Sequence, residues 1–151
     1  MKQFNMHIRV TKEFTFEMAH ALHGHDGPCK NIHGHSYRLS VTLKGKPVDD
    51  PENPKTGMVL DFSEIKELVR NEIIFPFDHS LVLNKNVPES VYAGLHDHKL
   101  ILVDFQPTCE NMLIYFSERL RKLLPSSVKF HHLSLRETNT SLAEWYAEDN
   151  E

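Results

Sequence analysis

His20, Cys29, His33 and His35 fall within sixteen positions of the chain, and three imidazoles beside a thiol are a set able to do metal chemistry. A structural zinc site closes all four positions with Cys and His, whereas a catalytic site uses three protein ligands and leaves one position for water or substrate. Three histidines would leave that fourth position open. Zinc is favoured over copper or iron because the set brings no thiolate or carboxylate of the kind that shapes those sites. Cys29 lies in residues 24–32, a stretch rich in Gly, Asp, Pro and Asn, which reads as a loop and not as packed core. It could be an inconsequential loop thiol or a fourth ligand. A thiol near a divalent ion and imidazoles ionises more readily, so the preferred reading is a base at neutral pH.

The flanking segments supply the geometry. From Ile8 to His20 the even positions are Ile8, Val10, Lys12, Phe14, Phe16, Met18 and His20, while the odd ones from Arg9 to Ala19 are largely polar. That period of two predicts a strand whose apolar face carries His20. From His33 to Lys44 the odd positions are His33, His35, Tyr37, Leu39, Val41 and Leu43, so both histidines share one apolar face. Side chains two apart on a strand stand roughly 6.5 to 7 Å apart along the backbone, within reach of one shared ion. If the strands pair as a hairpin, His20 and His33 flank the loop that holds Cys29, and Gly34 adds no side chain to the opposite face. Buried imidazoles need partners, which weighs against three unrelated strand histidines.

The chain has 151 residues, 40% of them hydrophobic and 25% charged, which predicts one globular domain over 1–151 with a real core. A net charge of -4 and a pI near 6.2 argue against a nucleic-acid footprint. No apolar run approaches a membrane span, and Met1-Lys2-Gln3-Phe4 reads as leading into a strand and not into a signal-peptide core. A cytoplasmic protein is expected, with Cys29 and Cys109 kept as thiols.

Residues 45–57 collect Pro47, Pro51 and Pro54 with Asp49, Asp50 and Asn53 and read as a loop. Asp61 or Ser63 can cap a helix over about 62–74, with Ile65, Leu68, Val69 and Ile73 on one face and Pro76 ending it. A strand over 100–105 precedes a second helix, capped by Thr108 and running to Pro125. Period two returns over 128–137, and 142–146 can supply its partner strand. The order β-β-α-β-α-β-β predicts an α+β domain with helices on one face of an antiparallel sheet.

Other candidates are weaker taken one at a time. Asp78-His79 could be a carboxylate orienting an imidazole in a proton relay, although adjacent Asp and His arise readily by chance. Glu137 is either a solvated strand end or a carboxylate able to accept two hydrogen bonds from a ligand. Glu110 suits the first turn of a helix through the dipole alone. His23 and His25 could compete as ligands from the loop, while His96, His98, His131 and His132 read as surface or sheet residues.

Taken in order, Phe16-Glu17-Met18-Ala19-His20, Cys29-x-x-x-His33-Gly34-His35-x-Tyr37, Gly57-Met58-Val59-Leu60-Asp61-Phe62, Asp78-His79, Pro107-Thr108-x-Glu110-Asn111 and Arg136-Glu137-Thr138 resemble the 6-pyruvoyl-tetrahydropterin and 6-carboxytetrahydropterin synthase family. The resemblance runs from about residue 8 to residue 146. It implies a tunnelling fold, with ββααββ-type subunits assembling into barrels, as homohexamers built from two trimers with active sites between subunits. It also implies one Zn²⁺ per subunit on His20, His33 and His35, holding side-chain oxygens of dihydroneopterin triphosphate. Cys29 would be the proton acceptor, His79 with Asp78 the relay, and Glu137 the pterin anchor and a relay member. Thr108 and Glu110 would lie near the ring.

The family's branches differ in outcome. One eliminates triphosphate and tautomerises to 6-pyruvoyltetrahydropterin; another also loses acetaldehyde to give 6-carboxytetrahydropterin for queuosine and other deazapurines. Three residues separate Cys29 from His33, a short spacing that resembles the carboxy branch, whereas animal pyruvoyl enzymes tend to carry a longer insert. A folate-synthesis branch replaces the cysteine with glutamate, and Cys29 argues against it. A zinc-dependent hydrolase akin to GTP cyclohydrolases and a noncatalytic pterin-binding protein are the competing readings. Residues 45–57 and 84–98 are longer than in minimal members and touch no motif.

Overall fold

A computed structural model describes residues 5–150, so the reading of Met1–Phe4 as a lead into a strand lies outside the described residues. The two alternating segments form β1 (Ile8–His20) and β2 (His33–Gly45), paired antiparallel along their whole length. Even positions of β1 and odd positions of β2 face the core, where Phe16, Met18, Tyr37, Leu39, Val41 and Leu43 are buried. β5 (Val128–Thr138) adds antiparallel to β2, and β6 (Ser141–Tyr146) closes that side.

The other side of the sheet departs from the expected pattern. Ser80–Asn84 forms a strand, β3, which the sequence reading left unassigned, and it pairs parallel with β1 and with β4 (Leu100–Val103). The order β4-β3-β1-β2-β5-β6 therefore makes a mixed sheet in place of a wholly antiparallel one. The physical reason is visible in β3 itself: Val82 packs into the main core and Leu83 into a second cluster with Ala21 and Val87. Covered on both faces, it shows no polar alternation.

The helices cover one face of the sheet and share its core through Ile65, Val69, Ile73, Met112, Leu113, Phe116 and Leu120. α1 (Phe62–Val69) is capped by Asp61, whose side chain accepts the Ser63 N–H. It continues as a π-helical turn (Arg70–Ile74) and a short α2 (Phe75–Phe77), so Pro76 does not stop the path as expected. The Phe75 N–H reaches back five residues to the Arg70 carbonyl, a widened turn just ahead of a residue that has no N–H to give. α3 (Cys109–Arg121) starts at Thr108, which accepts the Asn111 N–H, and it ends short of Pro125. Among the described residues no helix is long and apolar enough to cross a membrane.

Candidate active site

Strand register brings the histidines together. His20 lies directly opposite His33, and His35 opposite Met18, so three rings converge at the end of the hairpin. Their centroids are 4.6 Å (His20–His33), 5.2 Å (His20–His35) and 4.9 Å (His33–His35) apart. One nitrogen from each lies within 4.8 Å of the others, a spacing that could hold a metal ion. Between the two β2 ligands, Gly34 passes so near β1 that a Cβ would stand 3.3 Å from the Met18 carbonyl oxygen.

In two of the rings the outer nitrogen fixes which atom is offered. His20 Nδ1 lies 2.7 Å from the Pro107 carbonyl and His33 Nδ1 lies 2.8 Å from the Asn31 carbonyl. A carbonyl only accepts, so Nδ1 carries the proton and Nε2 keeps its lone pair, the arrangement that orients metal-binding histidines. Nε2 of His20 and of His35 are buried without a hydrogen-bond partner. Burial pushes the pKa of His20 down, against the opposing pull of the Pro107 carbonyl and the Glu137 carboxylate, and so favours the neutral, ligating ring. Unpartnered buried nitrogens on His20 and His35, with the tautomer preset on His20 and His33, fit a divalent metal.

Glu137 is not a solvated strand end. Its Oε1 stands 3.5 Å from His20 Nε2 and 3.6 Å from His35 Nε2, and it accepts a 3.1 Å hydrogen bond from the Tyr37 hydroxyl. Tyr37 is buried and stacked on Phe16, with ring centroids 5.3 Å apart. Burial first, then the Glu137 charge, raise the pKa of its hydroxyl, so it remains a donor. Sequence reading placed Tyr37 on the apolar face with His33 and His35 and within the family motif but gave it no role; its position two residues beyond His35 on that face was the available signal.

A cavity of about 300 Å³ beside the cluster is lined by His20, Cys29, His33, Thr108, Glu110 and Glu137. Cys29 sits in the 3-10 turn Pro28–Lys30, whose position is fixed by the Leu22 N–H donating to the Cys29 carbonyl at 2.9 Å. The metal-competent group contains the three histidines and not Cys29, which lines the cavity beside it. Cys109 lines the same cavity, a contribution the sequence did not suggest. Its thiol donates to the Leu135 carbonyl, and burial, with Glu137 nearby, pushes its pKa up to about 12, so it does not compete as a base.

Asp78 and His79 stand elsewhere in the chain. His79 Nδ1 pairs with Asp78 Oδ1 at 3.0 Å, but the ring is 76% exposed and borders a different cavity, of about 560 Å³, shared with Glu17, His35 and Leu81. Within one chain this pair does not line the Cys29 cavity. Loop residues His23 and His25 stay out of the metal-competent group, and His132 pairs with Glu144 and stacks on Tyr146 in the sheet.

A mixed sheet carrying two helical segments on one face, with a three-histidine group at a hairpin end, is the tunnelling fold of pterin enzymes. Solved structures share it: an uncharacterised Wolinella succinogenes protein superposes with a TM-score of 0.75 at 20% identity, covering 95% of this chain and 99% of its own. The 6-pyruvoyl tetrahydropterin synthase of Caenorhabditis elegans does so with a TM-score of 0.66 at 23% identity, covering 94% of this chain and 96% of its own. The family model described as 6-pyruvoyl tetrahydropterin synthase matches residues 9–148. The chain belongs to this family of tetrahydropterin synthase-type lyases. The 6-carboxy-5,6,7,8-tetrahydropterin synthase of Haemophilus influenzae is 36% identical over 142 residues, covering 91% of this chain and 98% of the relative. The synthase of that name from Synechocystis is 35% identical, covering 76% and 98%. The 6-pyruvoyl tetrahydrobiopterin synthase of Poecilia reticulata is 28% identical, covering 92% and 90%.

Proposed function

We propose that this chain, a single domain, converts 7,8-dihydroneopterin triphosphate and water to 6-carboxy-5,6,7,8-tetrahydropterin, acetaldehyde and triphosphate. The observation that carries this reading is the shared cavity lined by Cys29, Glu137 and two members of the metal group, His20 and His33. The short Cys29–His33 spacing and relatives named for the carboxy product favour it over the pyruvoyl product.

Each residue has a physical task. His20, His33 and His35 would hold one Zn²⁺, which when bound supplies Lewis-acid polarisation of the substrate's side-chain oxygens. Cys29, as thiolate, removes the proton from the neighbouring side-chain carbon. Glu137, held by the Tyr37 hydroxyl, accepts the ring N–H and amino group of the pterin, and Thr108 and Glu110 border the ring at the start of α3. His79, paired with Asp78, returns a proton at the other end of the side chain. That Asp78–His79 and Cys29 line separate cavities within one chain supports a site completed between subunits, as in a homohexamer of two trimers. The product would feed queuosine and related deazapurine synthesis in the cytoplasm.

Mass spectrometry of the product formed from dihydroneopterin triphosphate tests this directly. Acetaldehyde with 6-carboxytetrahydropterin is expected; 6-pyruvoyltetrahydropterin alone would assign the other branch, and binding without triphosphate release would leave a pterin-binding protein.

A further inference from the structure

Between α2 and β3 the chain reverses within Asp78 and His79, and His79 does so at φ 58°. A non-glycine residue holds that left-handed backbone at a cost, and keeps it where its surroundings over-determine it. Part of the restraint comes from β1: Asp78 Oδ1 accepts the Glu17 N–H at 2.9 Å, and the His79 N–H donates to the Glu17 carbonyl at 2.6 Å. The rest comes from Lys99, one residue before β4. Its Nζ donates to the Phe75 carbonyl at 2.5 Å and to the Asp78 carbonyl at 2.8 Å.

Carbonyls at a helix C-terminus lack intrahelical partners, and a cation placed there satisfies them and complements the helix dipole. Lys99 performs this for the end of α2 while gripping the residue that precedes His79. Its own carbonyl accepts the Leu81 N–H at 2.9 Å, so one residue fastens the turn on both sides of His79.

We propose that Lys99 is a positioning residue for the Asp78–His79 pair, its ammonium holding the turn so that the imidazole is presented in one direction. The inference rests on the reading of His79 as proton donor. Lys99 acts through backbone carbonyls and need not touch substrate.

The test is a double-mutant cycle on turnover of dihydroneopterin triphosphate by the full chain. Lys99→Met is expected to lower kcat about tenfold with KM nearly unchanged, the scale set by small misplacements of a reacting group. Lys99→Arg, which keeps the charge, should recover part of that loss. In a His79→Gln background Lys99→Met should cost nothing more. An unchanged kcat in Lys99→Met beside a slow His79→Gln would overturn the positioning role alone, as would an equal loss in both backgrounds. Wild-type kcat in His79→Gln would instead overturn the relay reading. If Lys99→Met does not fold, Lys99→Gln carries the same cycle with a smaller expected loss.

Discussion

The three-histidine cavity and the Asp78–His79 turn are restrained by different means. At the cavity, strand register, the Pro107 and Asn31 carbonyls and the Tyr37–Glu137 bond fix side chains inside one chain. At the turn, the restraints fall on the backbone, and the His79 ring projects 76% exposed. The first region draws its restraints from within one chain; the second presents a group outward. Metal binding and substrate anchoring should therefore survive changes that only the relay feels, and the reverse should not hold.

Breaking the metal cluster should have the largest effect. His33→Ala is expected to lose most bound zinc and nearly all turnover, because the remaining imidazoles cannot close the group; full zinc by elemental analysis would remove His33 from it. Cys29→Ala comes next, with zinc retained and kcat reduced on the order of 10²- to 10⁴-fold, as for loss of a general base. Normal turnover in that variant would favour a hydrolase using zinc-bound water.

Tyr37→Phe sharpens the contrast. It removes the donor to Glu137 and is expected to raise KM for the pterin about tenfold, on the scale of a hydrogen bond to a charged group, with zinc content intact. An unchanged KM would show that Glu137 does not anchor the ring through this bond.

The smallest effect belongs to Asp78 and is read by pH. Partial burial opposes its ionisation, but the Glu17 N–H, His79 and Lys99 outweigh that and hold its pKa below the usual 3.8. A depressed carboxylate stabilises the fold above the unfolded pKa and loses that contribution as pH falls through the folded one. The stability gap between wild type and Asp78→Asn, from urea melts, should be constant near neutrality and shrink below about pH 4. A gap that stays constant to pH 2 would contradict the assignment.

These two regions were also unequally legible in the sequence. Strand parity placed His20, His33 and His35 on converging faces because β1 and β2 are covered on one face, so burial is written as alternation. The caps at Asp61 and Thr108 were readable from residue type and spacing. β3 was not, being short, apolar and covered on both faces, and neither was the π turn that carries the helix through Pro76. Both missed elements frame Asp78–His79. Lys99 could not be singled out either, since its partners are backbone carbonyls from residues 75 and 78, which carry no mark in the sequence.

The division between the regions is tested most directly by mixing subunits. Cys29→Ala and His79→Gln chains, each nearly inactive alone, are dissociated, combined and reassembled, and turnover of dihydroneopterin triphosphate is measured. A shared site that takes Cys29 from a His79→Gln chain and His79 from a Cys29→Ala neighbour is intact, while the other combinations are not, so turnover well above either parent but below wild type should return. Mixed oligomers that form and stay as inactive as their parents would show that both groups serve one site from a single chain.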